Sequence, residues 1–129
     1  MTMNYGAYRY KIVFLSTMNW SDGNSACDNL TLGNYADWYM PDEGEVRAII
    51  QRYYEDKEST TTLRDCLIEG CREIWTSTGC TTYSYNDPGH IYYYLVNVGS
   101  AFDSRYSWNT GCYDERKCGV FAVRKQSKL

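Results

Sequence analysis

From residue 76 to residue 114 the chain uses no Lys, Glu, Gln or Met, while the other 90 residues carry 5 Lys, 7 Glu, 2 Gln and 4 Met. Tyr, Ser, Thr, Asn, Asp, Gly and Cys fill most of these positions instead. A Tyr-rich sheet depletes Lys and Glu in this way, so the segment reads as strand joined to irregular chain. Residues 73–77 look like a core strand, residues 91–98 like the longest strand and residues 119–124 like the last one. Two loops separate them, residues 79–90 and 99–117. Loops of this length inside a compact domain are functional or disordered, and the aromatic content here argues against disorder.

The same alphabet has a second reading, at the level of codons. Tyr, Asn, Asp, Ser, Thr, Gly, Cys and His are what an AAC or AAT codon becomes when its adenines are replaced. Lys, Glu, Gln, Met and Trp need other codons, so their near absence points to adenine-directed diversification. Recognition surfaces favour the same side chains, because Tyr offers rigid amphipathic area at low entropy cost while Ser, Gly and Asn supply adaptable hydrogen bonds.

At 129 residues the chain is one domain long and can bury a core without a metal or disulfide framework. A net charge of -3 gives no electrostatic reason to expect nucleic acid, which needs a basic patch. Every apolar run is far shorter than the roughly 20 residues of a membrane helix. The first ten residues lack the basic-then-apolar order of a signal peptide. The expectation is a soluble protein without membrane insertion. Cysteines stand at positions 27, 66, 71, 80, 112 and 118. Without an export signal a full disulfide framework loses its context, and the C-x4-C and C-x5-C spacings are looser than the usual zinc pair. At most one bridge is expected, with Cys80 and Cys112 free at the surface.

The first half of the chain is more regular. Tyr8, Tyr10, Ile12 and Phe14 alternate along residues 8–15, which predicts an opening strand. A short helix follows, with Ser21 or Asp22 as N-cap, and ends before Gly33. Asp42 and Glu45 have the spacing of a capping box at the start of a second helix. Val46, Ile49, Ile50 and Tyr53 recur at i, i+3, i+4 and i+7 and place one apolar stripe against the core. Residues 55–62 are polar and Thr-rich, a surface loop. Trp38 and Trp75 are core candidates.

The run Trp20-Ser-Asp-Gly-Asn-Ser-Ala26-Cys27-Asp-Asn-Leu30-x2-Gly33-Asn-Tyr35-Ala-Asp37-Trp38-Tyr-Met40-Pro41-x3-Glu45-Val46 resembles the bacterial domain at the C-terminus of Legionella collagen-like adhesins. In that family a Trp precedes an Ala- and Cys-containing helix. A Gly-Tyr-x-Asp-Trp-Arg-Leu-Pro turn, a Trp-x-Ser-Thr strand and a final Val-Arg strand follow. Ile74-Trp75-Thr76-Ser77-Thr78 and Phe121-Ala122-Val123-Arg124 stand where the two strands would. Arg-Leu-Pro has become Tyr39-Met40-Pro41. The Cys often seen in the last strand is absent, Cys118 lying upstream, which leaves a Cys27 bridge to the C-terminus without its usual partner.

The resemblance implies a C-type-lectin-like fold, α+β, with two helices packed on mostly antiparallel sheets and long ligand-facing loops from the C-terminal half. The same fold is used by variable proteins of diversity-generating retroelements, which are diversified near the C-terminus at adenine-rich codons. On that resemblance the scaffold comprises residues 8–75 and 118–125, and residues 76–114 form the variable region. The candidate ligand-binding residues are Tyr83, Ser84, Tyr85, Asn86, Asp87 and His90 in the first loop. Asp103, Ser104, Arg105, Tyr106, Trp108, Asn109, Tyr113 and Asp114 complete the set in the second. Tyr, Trp and Arg most often dominate interface energy. Tyr92, Tyr93 and Tyr94 read instead as strand residues, half of them buried.

No catalytic residue, metal or cofactor is implied. His90 is the only histidine and has no local motif for a Cys-His pair. Asp87, Asp103 and Asp114 lack the alternating ligand run of a calcium loop. The Glu-Pro-Asn and Trp-Asn-Asp motifs of calcium-dependent lectins are missing, and Asn86-Asp87-Pro88 is not their equivalent. The favoured reading is a non-enzymatic display protein that binds a protein or glycan receptor, carried on a phage or archaeal virion or on a prokaryotic cell surface. The alternatives are an invariant bacterial adhesin module binding glycans and an enzyme of the formylglycine-generating type, which needs a reactive cysteine with a depressed pKa.

Overall fold

Residues 118–124 are buried without a break in the computed structural model, which describes residues 2–55, 72–79, 92–98, 111–113 and 116–129. They belong to β6 (Cys118–Lys128), which lies between β2 (Tyr8–Met18) and β3 (Glu73–Gly79) in a six-stranded sheet. β1 (Thr2–Tyr5) flanks β2, while β4 (Tyr92–Asn97) and β5 (Gly111–Tyr113) extend the sheet beyond β3. β6 runs antiparallel to β2, from Tyr8 opposite Lys128 to Met18 opposite Cys118. It meets β3 in parallel at Ile74 and Gly119, and the other junctions are antiparallel.

A strand covered on both faces reads as a continuous apolar run, and β6 shows why. Phe121 and Val123 enter a cluster with Ile12 of β2, Ile74 of β3, and Val46, Ile49 and Ile50 of α2 (Glu43–Glu55). Cys118, Val120 and Ala122 enter the other cluster, with Cys27 of α1 (Trp20–Asp28), Trp38, Met40, Trp75 and Leu95. The fold is therefore α+β in three layers, with α2 against one face of the sheet and α1 with the chain after it against the other. This is the order of elements that the resemblance implies.

Local chemistry sets the helix starts. Asp42 Oδ1 accepts from the Glu45 N–H at 2.8 Å, and Glu45 Oε1 accepts from the Asp42 N–H at 3.0 Å, so the expected capping box is present in both directions. Glu45 is buried, yet its other oxygen accepts from the Tyr39 hydroxyl at 2.7 Å. Burial and this carboxylate push the neighbouring Tyr10 phenol up to about 12. For α1 the cap is Asn19 rather than Ser21 or Asp22, its side chain accepting from the Asp22 N–H at 2.8 Å. All three residue types cap helices. Trp20 opens the helix directly after the cap, its indole Nε1–H donating to Thr76 O at 2.9 Å.

Other expectations need adjustment. Residues 91–98 do not hold the longest strand: β4 has 6 residues, against 11 each in β2 and β6. β1 and β5 are short edge strands that the pattern did not announce. Trp38 and Trp75 are core residues as expected, as are Val46, Ile49 and Ile50. The Tyr53 side chain, the loop after residue 55 and Cys66, Cys71 and Cys80 lie outside the described residues. Cys27 and Cys118 are buried thiols outside any disulfide. The Cys27 thiol donates to Phe121 O at 3.4 Å, and burial, aided by the Asp28 charge, pushes it up to about 12.

Gly23 carries the packing of α1 onto β6. A Cβ at this position would stand 2.7 Å from Val120 Cγ2 and 3.2 Å from Met40 Cε. The helix can approach the sheet this closely only without a side chain there. Alanine at an unconstrained helical glycine stabilises through propensity. Here Gly23→Ala should instead destabilise by about 1–3 kcal/mol through overpacking, measured by urea unfolding; an unchanged or raised midpoint would contradict the close approach.

Candidate functional site

Three neighbouring strands bring the flanks of the biased segment to one end of the sheet. Gly79 at the end of β3 stands opposite Tyr93, Tyr93 stands opposite Cys112, and Tyr92 stands opposite Tyr113 at the end of β5. Strands in a sheet lie about 4.8 Å apart, so these attachment points fall within roughly 10 Å of one another. Of the candidate binding residues, Tyr113 is placed in β5. Tyr83, Ser84, Tyr85, Asn86, Asp87, His90, Asp103, Ser104, Arg105, Tyr106, Trp108, Asn109 and Asp114 lie outside the described residues.

The described part of this edge is tied tightly to the helical layers. The Trp20 indole lies flat on the Tyr93 ring, with centroids 3.5 Å apart and planes 6° from parallel. Trp20 thus holds β4 by ring stacking and β3 through its hydrogen bond to Thr76 O. Thr76 is fully buried; its hydroxyl donates to Tyr94 O at 2.8 Å and accepts from the Thr78 N–H at 3.2 Å. Thr78 Oγ1 accepts from the Glu43 N–H at 3.0 Å, and the Ser77 N–H donates to Pro41 O at 2.9 Å, so the start of α2 is locked to the same strand. Trp75 adds a bond from Nε1 to Met18 O at 3.0 Å. Tyr93 and Tyr94 are half-buried, in keeping with their reading as strand residues.

The Gly33-to-Pro41 segment, the core of the resemblance, has a structural task of its own. Leu32–Asn34 forms a single 3-10 turn in which Gly33 and Asn34 take positive φ values of 70° and 65°. Trp38 donates from Nε1 to Leu32 O at 3.1 Å and pins this turn. Tyr39 exchanges two backbone hydrogen bonds of 2.9 Å with Val123, adding a bridge to β6. Asp37 accepts from Arg124 Nε at 2.8 Å and from Nη2 at 3.3 Å, and the guanidinium lies over the Tyr35 ring at 3.5 Å. The bond from Arg124 holds the Asp37 carboxyl below the usual carboxylate range and raises Arg124 in turn.

No family model and no curated protein matches this chain. Among solved structures it is similar to TC14, a C-type lectin from the tunicate Polyandrocarpa misakiensis, at 12% identity and a TM-score of 0.44, over 92% of this chain and 99% of that one.

Among the described residues no group of three or more His, Cys, Asp or Glu side chains could hold a metal ion. No helix among them is long and apolar enough to cross a membrane. The sequence placed Trp20 in the resemblance but did not show its role, because its stacking partner lies 73 positions away and no periodicity links them. Trp20→Ala should cost about 2–4 kcal/mol in urea unfolding, through lost aromatic area, stacking and the Thr76 bond, and Trp20→Phe clearly less. A loss under about 0.5 kcal/mol for Trp20→Ala would show that the stack carries no load.

Proposed function

We propose that this chain is a non-enzymatic display protein with a C-type-lectin-like scaffold. Its segment 76–114 carries a diversified, Tyr-rich surface that binds a protein or glycan receptor. A phage or archaeal virion, or a prokaryotic cell surface, is its place of action. The observation that carries the reading is the coincidence of two boundaries. The stretch without Lys, Glu, Gln or Met opens in β3 at Ile74, two residues before Thr76, where Trp20 and the buried threonine hydroxyl tie the sheet edge to the helices. Upstream of that point the chain is occupied with core and caps; downstream its alphabet is that of a recognition surface. A rigid edge under a variable surface limits the ordering cost of binding, which favours affinity from few contacts.

An enzyme of the formylglycine-generating type gains no support from Cys27 and Cys118. Both are buried, and the Cys27 thiol is pushed upward, opposite to what a reactive cysteine needs.

The DNA around the coding sequence tests this function. The expected finding is a near-identical copy of the segment encoding residues 76–124, differing almost only at adenines, beside a reverse transcriptase. If no such copy exists, the diversification reading fails, and the Tyr-rich alphabet belongs to an invariant adhesin module that binds glycans.

A further inference from the structure

Away from the Tyr-rich edge, the β2–β6 pair carries a groove of about 410 Å³ between the sheet and the Leu32–Asn34 turn, lined by Lys11, Leu32, Tyr35, Trp38, Arg124 and Gln126 among others. This volume lies within the range of small-ligand sites. Two of the four large hydrophobic side chains exposed among the described residues, Leu32 at 51% and Tyr35 at 50%, belong to it. They are presented by the turn that combines two positive-φ residues with the Trp38 indole bond, so their position is set by the scaffold.

The polar side of the groove is cationic. Lys11 stands directly opposite Arg124 in the antiparallel register, so both side chains leave the same face of the sheet. Like charges placed this way repel each other, and the arrangement needs an anion. Asp37 supplies one, but it takes only two of the five guanidinium N–H groups, on Nε and Nη2. The other three have no acceptor among the described residues, and Lys11 has no carboxylate within ion-pair distance there. One positive charge is left over in Lys11, Arg124 and Asp37 taken together. The guanidinium cannot swing away to disperse it, being held by Asp37 at one edge and by the Tyr35 ring on its face.

We infer that this groove is a binding site for a ligand in which a carboxylate adjoins an apolar ring or side chain. The carboxylate would accept from the free guanidinium N–H groups of Arg124, from Lys11 and from the Gln126 amide. The apolar part would lie on Leu32 and Tyr35. Charge-assisted bonds to a planar, pre-positioned guanidinium are the strong ones, and holding it in place reduces the ordering cost. Two sources of this chemistry exist, a free aryl acid and the C-terminal residue of a peptide. The site is built from β2, β6 and the Leu32–Asn34 turn, outside segment 76–114, so it stands whether or not that segment is diversified.

The test is a ¹H–¹⁵N titration of the full chain with four probes: phenylacetate, phenylacetamide, N-acetyl-Gly-Phe and N-acetyl-Gly-Phe amide. Saturable shifts of Lys11, Leu32, Gly33, Tyr35, Gln126 and the Trp38 indole are expected with the two acids. The amides should bind at least about fivefold more weakly, the scale of a lost charge-assisted bond. Lys11→Gln, an exposed change that leaves the core untouched, should weaken the acids by a similar factor and leave the amides unaffected. Tighter binding of phenylacetate or of the peptide acid identifies the source, and either result supports the site. Equal binding of acids and amides, unchanged acid affinity in Lys11→Gln, shifts that map elsewhere, or no saturable shifts would each overturn it.

Discussion

The burial of β6 on both faces is the constraint on which the rest of the structure depends. One side of the strand, Phe121 and Val123, closes the cluster under α2; the other, Cys118, Val120 and Ala122, closes the cluster under α1 and Trp38. Phe121, Val123 and Val120 each contribute roughly 1.5–3 kcal/mol by leaving water, and the smaller Cys118 and Ala122 less. The same strand joins β2 to β3, and hence to the sheet edge that holds β4 and β5. Even the irregular chain after α1 is tied to it, through the Tyr39–Val123 bridge and the Asp37–Arg124 pair.

This arrangement separates two kinds of position. Core and capping positions are satisfied within the described strands, helices and turns, with few substitutes possible: Gly23 against Val120, Glu45 between Asp42 and Tyr39, Thr76 between Trp20 and Tyr94. The positions proposed to vary join this framework on adjacent strands, at Gly79 and Tyr92 at one end of β4, at Val98 at its other end, and at Gly111 and Tyr113 on β5. The Lys11–Arg124 groove belongs to the first kind. Its residues come from β2, β6 and the pinned turn, and so would be shared by every variant of the surface.

Much of the framework was legible in the sequence. The reciprocal Asp42–Glu45 cap and the Val46, Ile49, Ile50 stripe follow from local spacing alone, and β2 and β6 announce themselves by alternation and by a continuous apolar run. What was not legible rests on distant partners. Trp20 is held by Thr76 and Tyr93, far along the chain, and β1 and β5 exist as strands only because longer neighbours offer them a ladder. The groove was hidden for the same reason, since Lys11 and Arg124 are 113 positions apart in the chain and meet through register. Of the candidate binding residues only Tyr113 falls within the described structure, so their reading still rests on alphabet and resemblance.

The proposed separation of scaffold and surface requires the framework to hold its shape independently of the surface it carries. Replacing residues 80–91 and 99–110 together by unrelated sequences of the same lengths and alphabet, then following thermal unfolding, tests it most directly. One cooperative transition is expected, with Tm within about 5 °C of the parent, equivalent to roughly 1 kcal/mol in a domain of this size. Loss of the cooperative transition in most replacements would mean that these segments are part of the core, and the separation of scaffold from display surface would be wrong.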